Sequence, residues 1–352
     1  MAYLRLNISN LCNFSCKYCH VFKLNQNELP PKVMDYDTID FSIENYIRIL
    51  KRYDEDSLTL SIYGGETLIN KKNLFKAVEK YNNYYQGVNI NWMVNTNGSL
   101  LTEEVADFFK KYDIDVHLSA DGFEETHNKN RVDKFGKGTF DRVEKALSLI
   151  KQKGIKAQIN SFVFPENVNN LFEVVDLAKR FDIHQIYLDL FYDTQKRELS
   201  SSTISQKYFE VYEYGLKNGV SISGPWTRTF RRYMKRSYRD KTPTINVNLD
   251  GKFFFNRCPT MEPLDLKHLN YNDITDAYAK VTYQFEELVR NNCGYCFLRK
   301  SCNGAMISQF QYHTKLNEGW KIVCRSTREI IKLIKNQLGE KETSSSEIHS
   351  KL

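Results

Sequence analysis

From residue 3 to about 190, short apolar runs alternate with longer stretches in which apolar residues recur every three or four positions. The short runs predict strands at 3–8, 58–63, 90–95, 114–119, 156–163 and 184–190. The longer stretches predict helices at 37–52, 71–84, 102–111, 139–153 and 168–181. The stretch TFDRVEKALSLIKQKG shows the helical pattern well, with Thr139 as candidate N-cap and Gly154 as candidate C-cap. Strand–helix alternation predicts an α/β fold with a parallel sheet wrapped by helices. Six such units predict a partial barrel, with its chemistry at the C-terminal ends of the strands.

The pattern changes after residue 190. Residues 191–245 are polar and basic, with few strand signals. Within them WTRTFRRYMKRSYRDK, 226–241, interleaves cations with aromatics. Arg228, Arg231, Arg232, Lys235, Arg236 and Arg239 are spaced by threes and fours or adjacent, so on a helix they share a face. That face is either solvated or a surface for an acidic peptide. Residues 245–256 read as a hairpin turning at Asp250-Gly251. Helices are expected at 275–292 and 326–338, and the tail from 339 as disordered.

Composition narrows the class. The chain has 352 residues, 41% hydrophobic and 26% charged, which fits a globular protein of one large domain and a smaller one. No apolar run approaches the length of a membrane helix. The start, MAYLRLNISNLC, reads as a strand and not a signal peptide, so a cytoplasmic protein is expected. A net charge of +7 suits an acidic partner but does not indicate nucleic acid, and no membrane partner is expected. Eight cysteines fall in two groups with none between 20 and 257. In a reducing compartment such clusters are metal ligands more often than disulfides.

The first group is CNFSCKYC, with Cys12, Cys16 and Cys19 just after the first strand. Three thiolates on one tight loop can hold three irons of a [4Fe-4S] cubane and leave the fourth open. A zinc site completed by His20 is the competing reading. Gly64-Gly65-Glu66 follows the second strand, where glycines permit close backbone approach to a ligand and a carboxylate can accept from an ammonium. Asn95-Thr96-Asn97-Gly98 ends the third strand, and Ser119-Ala120-Asp121-Gly122 the fourth. CNFSCKYC resembles the signature of the radical S-adenosylmethionine (SAM) superfamily. The resemblance implies that the open iron binds SAM, with Tyr18 near adenine. It implies that Gly64, Gly65 and Glu66 bind the SAM amino group, with Asn97 beside the site. Ser119 or Asp121 would meet the ribose hydroxyls or the methionine carboxylate. Arg131 would approach that carboxylate, Asn160 or Ser161 would contact ribose, and Leu188 would pack on adenine.

The second group, Cys293, Cys296, Cys302 and Cys324, resembles the SPASM extension of radical SAM maturases. That resemblance implies one auxiliary [4Fe-4S] cluster on these four residues; a structural zinc site is the alternative. A full SPASM region carries seven cysteines and two clusters. Here Met306 stands where a further ligand would be, and Cys258 is alone near the hairpin. Cys258 is a spare ligand, a catalytic thiol or a buried remnant. The implied layout is a partial (β/α)6 radical SAM barrel at 1–195, a basic linker at 196–244, a small α+β SPASM-like domain at 245–338 and a tail at 339–352. The implied function is maturation of a ribosomally made peptide, forming a C–S or C–C cross-link or an epimer. An electron donor such as flavodoxin or ferredoxin is expected. With Cys12 so near the start, no leader-binding domain is expected before the barrel, so the barrel, the linker or a separate protein reads the leader. The alternative is an anaerobic sulfatase-maturating enzyme, against which stands Pro259, since those maturases typically place an Asp base after the matching cysteine. A non-catalytic iron–sulfur redox regulator is the reading from another class.

Overall fold

The structure is a computed structural model that describes residues 2–19, 32–190, 199–235, 244–255, 264–265, 271–302 and 319–342. Six strands alternate with helices along the first half. The strands are β1 (Ala2–Ser9), β2 (Ser57–Gly64), β4 (Val88–Thr96), β5 (Asp115–Ser119), β6 (Ala157–Val163) and β7 (Gln185–Leu190); a two-residue β3 (Tyr84–Tyr85) pairs antiparallel with β4. The helices are α1 (Tyr36–Arg52), α2 (Lys71–Tyr81), α3 (Glu103–Lys111), the short α4 (Glu124–Asn128), α5 (Phe140–Lys153) and α6 (Phe172–Arg180). The six long strands pair in parallel in the order β1-β2-β4-β5-β6-β7. This is the α/β architecture that the alternation predicts.

Strand alternation gives the sheet two unlike faces. Leu4, Leu6, Leu58, Leu60, Val94, Val116, Leu118, Ile159, Ile186 and Leu188 are fully buried beneath the helices. Arg5, Asn7, Tyr63, Asn95, Ser119, Asn160, Tyr187 and Asp189 are half-buried and alternate with them, so they line the other, concave face. Helix α1 shows how local sequence sets this. Asp35 caps it by accepting from the Thr38 amide, and Ile39, Ile43, Tyr46, Ile47 and Leu50 form its buried stripe. Helix α5 ends at Gly154 in the left-handed region, as its sequence predicts. Its start differs from expectation. Thr139 makes no side-chain cap; the Asn128 carboxamide accepts from the amides of Thr139 (2.8 Å) and Phe140 (3.0 Å) instead.

Residues 199–235, which carry few strand signals, contain α7 (Ser201–Lys217), β8 (Ser221–Ser223) and α8 (Pro225–Lys235). Strand β8 continues the parallel sheet beyond β7. On the other flank β9 (Ile245–Val247) pairs parallel with β1 and turns back antiparallel into β10 (Lys252–Phe255), followed by β11 (Leu264–Asp265). The chain then forms α9 (Tyr271–Cys293), α10 (Arg299–Cys302) and α11 (Gly319–Glu342). Helix α11 packs on α7, where the Ser205 hydroxyl donates to Glu329 at 2.7 Å. On α8, Arg228 and Arg231 are exposed but Arg232 is buried, so the expected cations do not all share one solvent face. The side chains of Lys235, Arg236 and Arg239 and the tail from 343 lie outside the described residues. Among the described residues no helix is long and apolar enough to cross a membrane.

Candidate active site

Residues 10–19 leave β1 as an extended loop that carries Cys12, Cys16 and Cys19 over the strand ends. Backbone hydrogen bonds from Ser15 to Val132 (2.7 Å) and from Lys17 to Asn130 (2.9 Å) fix the loop to the segment after α4. The three thiols are half-buried and free. Burial pushes Cys12 up to about 12 and Cys16 up to about 11. As thiolates they therefore need a positive partner, as ligands of an iron cluster have. Among the described residues no three His, Cys, Asp or Glu side chains gather tightly enough for a single metal ion.

Gly64 and Gly65 are required by the protein's own backbone. A Cβ on Gly65 would lie 2.3 Å from the Leu11 carbonyl oxygen, and one on Gly64 would overlap that of Ser9. The end of β2 is thereby pressed against the root of the cysteine loop, with the Glu66 amide donating to Leu11 at 2.7 Å. Glu66 itself is fully buried. It accepts from the Leu68 amide (2.9 Å), the Thr96 hydroxyl (2.7 Å) and the Asn97 amide (2.8 Å). Burial raises its pKa against these three donors, and no cation partners it among the described residues. A buried carboxylate of this kind fits the ammonium of a ligand.

Asn97 belongs to a closed ring of polar side chains. Its amide nitrogen donates to Asn13 (3.1 Å), Asn13 donates to the Ser99 hydroxyl (2.7 Å), and Ser99 donates to the Asn97 carbonyl (2.6 Å). The Asn97 amide also lies 3.8 Å from the Cys12 sulfur. Sequence reasoning missed Asn13 and Ser99. The only signal was their adjacency to Cys12 and to the Asn95–Gly98 turn.

Asp121 and Arg131 come together, but on each other. Arg131 donates to both Asp121 oxygens, at 2.7 and 3.1 Å, with both side chains almost wholly buried. Asp121 also accepts from the Tyr18 hydroxyl (2.8 Å), the Ser161 hydroxyl (3.2 Å) and the Phe162 amide (3.1 Å). Burial works to raise Asp121, but Arg131 outweighs it and holds the carboxyl below its usual range. With five donors on it, Asp121 has no capacity left for ribose hydroxyls. The pair instead fixes Tyr18, whose ring lies 5.3 Å under the Arg131 guanidinium and 4.4 Å from the ring of Phe164. Behind the pair, the Asp121 amide points at His127 Nδ1 (3.4 Å), and His127 Nε2 lies 3.2 Å from the Thr139 hydroxyl. That hydroxyl donates to the Arg131 carbonyl, so it accepts from His127. The ring is therefore neutral and protonated on Nε2, and burial together with Arg131 lowers its pKa to about 3.

On β6 the alternation resolves the expected pair. Asn160 faces the concave side, between Gln158 (2.7 Å) and Asn95 (3.3 Å), while Ser161 faces Asp121. Ser119 is half-buried on the Asn160 side. Leu188 does not face a ligand: it is fully buried in the helix-side core with Ile186, and Tyr187 and Asp189 take the concave face. Cys258, Met306 and His20 lie outside the described residues.

Cys293, Cys296, Cys302 and Cys324 line one open cavity with Arg325 and Arg328, at the junction of α9, α10 and α11. Burial, then repulsion from Cys302, pushes both Cys293 and Cys324 up to about 11. The four thiols thus sense one another, as a shared ligand set would.

A parallel α/β sheet with a three-cysteine loop at its strand ends, and beside it a buried carboxylate with no cation partner among the described residues, fits a radical SAM protein. Residues 6–178 match the Radical SAM superfamily, and the chain belongs to it. The radical SAM cyclopropyl synthase TigE of Paramaledivibacter caminithermalis is 26% identical over 88% of this chain and 68% of its own. A serine-type anaerobic sulfatase-maturating enzyme of Bacteroides thetaiotaomicron is 32% identical over 51% of this chain and 43% of its own. In three dimensions the chain resembles native anSMEcpe with bound AdoMet at a TM-score of 0.77, with 18% identity over 98% of this chain and 100% of that one. It also resembles Streptococcus suis SuiB bound to S-adenosylmethionine, at 0.64 with 16% identity over 90% and 76%.

Proposed function

We propose that this chain is a radical SAM enzyme that modifies a ribosomally made peptide. The observation that carries the reading is Glu66, a buried carboxylate with three neutral donors and no cation among the described residues, set beside the three-cysteine loop in which burial pushes the Cys12 and Cys16 thiols up. Cys12, Cys16 and Cys19 would hold the [4Fe-4S] cluster, and Glu66 would accept from the SAM ammonium. When bound, that cluster would supply the electron for reductive cleavage of SAM and thereby the means to take hydrogen from an unactivated carbon. The remaining work belongs to the protein. The Asp121–Arg131 pair fixes Tyr18, which would lie beside adenine. The Asn13–Asn97–Ser99 ring holds the Cys12 arm of the loop, as outer partners of metal ligands do. Asn160 and Ser119 offer hydroxyl and amide partners on the concave face, where water is displaced once substrate enters.

The peptide assignment draws support from the relatives. One is named a cyclopropyl synthase, others sulfatase-maturating enzymes, and the similar structures include SuiB bound to precursor peptide SuiA and anSMEcpe with the Cp18Cys peptide. Cys293, Cys296, Cys302 and Cys324 would carry an auxiliary cluster able to accept an electron as an oxidised product forms, and a flavodoxin or ferredoxin would reduce the first cluster. Formylglycine formation in a sulfatase is the second reading, favoured by the fit of nearly the whole chain to anSMEcpe.

The test has two stages. Anaerobically reconstituted protein should bind about eight irons, and the Cys12, Cys16, Cys19 triple Ala variant about four. The reduced wild type should release 5′-deoxyadenosine and the variant none. Co-expression with small peptides encoded beside the gene should then yield a peptide lacking two hydrogens, for a cross-link, or carrying solvent deuterium, for an epimer. A reduced, iron-loaded protein that leaves SAM intact would refute the reading.

A further inference from the structure

The mechanism so far leaves one group of polar side chains unused. Arg5 and Asn7 alternate on β1 with the fully buried Leu4 and Leu6, so both face the concave interior. Strand β9 lies parallel beside β1 with Asn246 opposite Arg5, and β2 places Tyr63 opposite Asn7. The Arg5 guanidinium sits 5.0 Å over the Tyr63 ring. Asp189, from the far strand β7, projects to the same interior, because its neighbours Leu188 and Leu190 lie on the helix side. Burial pushes Asp189 up to about 6 and the Arg5 charge opposes this, yet the two form no ion pair.

These side chains are polar, enclosed and incompletely satisfied. Among the described residues the Asn7 carbonyl oxygen and the Asn246 amide nitrogen are buried with no hydrogen-bond partner, and Asn246 is only 3% exposed. Buried polar atoms without partners are rare, and each asks for a water or ligand to complete it. Here one orphan is an acceptor and the other a donor, and they lie diagonally across adjacent strands, a separation that a small planar group can bridge. Asp189, which accepts from the Leu190 amide at 2.9 Å through one oxygen, and Arg5 add a second acceptor and a second donor to the same interior. An amide, with N–H on one side and C=O on the other, matches both pairs. A carboxylate would meet the Asn7 oxygen and Asp189 unfavourably, and an ammonium would meet Arg5.

We propose that Arg5, Asn7, Asp189 and Asn246 form a peptide-amide subsite inside the barrel, beneath the cysteine loop. Asn7 and Asp189 accept from amide N–H groups, and Arg5 and Asn246 donate to carbonyl oxygens. Tyr63 gives an apolar wall beside them. The proposal rests on the peptide-modifying reading and identifies where the substrate backbone is held. The segment next to the modified residue is read there by its amides, with little regard to its side chains.

The test uses reconstituted, SAM-loaded protein and the probe N-acetylalaninamide, with binding followed by saturation-transfer NMR. A second probe replaces the terminal amide by a methyl ester. The ester should bind at least fivefold more weakly than the amide. Asp189→Leu and Asn246→Leu should each weaken amide binding at least fivefold while iron content and 5′-deoxyadenosine release on reduction persist. Should either Leu variant lose iron, the smaller polar replacement Asn246→Ser gives the same reading with less disturbance. Equal affinity for both probes, no binding of the amide by wild type, or unchanged amide affinity in the folded variants would each overturn the subsite. Wild-type protein that binds the amide but releases no 5′-deoxyadenosine would refute the enzymatic reading and leave the subsite standing.

Discussion

The neutral state of His127 makes stability depend on pH in a defined direction. In the fold, Nδ1 accepts from the Asp121 amide and Nε2 serves the Thr139 hydroxyl, so a second ring proton would point at an N–H. Burial and the neighbouring Arg131 hold the folded pKa at about 3, against an ordinary value of 6.5. Above 6.5 the ring is neutral folded or unfolded. Below it the unfolded chain gains a proton that the folded chain refuses, so stability falls as pH drops from 6.5 toward 3. The loss is about 1.4 kcal/mol per pH unit, or about 2 kcal/mol at pH 5. A variant His127→Gln keeps a donor for Thr139 and cannot titrate. Urea unfolding of the reconstituted protein at pH 7.5 and pH 5 measures both. Losses from cysteine and cluster chemistry are common to the two proteins and cancel in the difference. Wild type should lose about 2 kcal/mol more than the variant between these pH values. Equal losses would show that His127 is not held neutral, and the hydrogen-bond chain through Thr139 would have to be redrawn.

Other perturbations follow from the same geometry. Glu66→Gln keeps an acceptor for the Leu68 amide and the Thr96 hydroxyl, loses the one for the Asn97 amide and removes the charge, and should weaken SAM binding by about ten- to a hundredfold in equilibrium dialysis with iron content intact. Gly65→Ala sets a Cβ 2.3 Å from the Leu11 oxygen, and should cost about 1–3 kcal/mol and lower the iron bound on reconstitution. Replacing the exposed Arg228 and Arg231 of α8 by Gln should raise KM for an acidic peptide substrate and flatten its salt dependence, while SAM cleavage without peptide stays the same.

The framework was legible in the sequence because six strands and five helices repeat their apolar periods cleanly. The three-residue β8 was not: Ser221–Ser223 is too short to show a period, and only its pairing with β7 makes it a strand. At the site, sequence located the residues better than it located their partners. Alternation says that Leu188 and Asp189 point opposite ways, but which one faces the interior depends on where the helices pack. Gly64 and Gly65 announced a close approach without saying to what. Asp121 and Arg131 are ten positions apart, and their mutual pairing depends on the turn through α4, which carries His127 and no sequence signal of its own.

Strand β1 ends as an inner strand with neighbours on both sides. Its second neighbour, β9, is encoded about 240 residues later. At ordinary synthesis rates that interval is roughly 10–50 s. Throughout it, β1 carries an open row of amide and carbonyl groups along an apolar segment, the kind of edge that invites pairing with another chain. The nascent protein is therefore most exposed to misassembly along β1, and chaperone demand should drop once residue 247 has emerged and the edge can close.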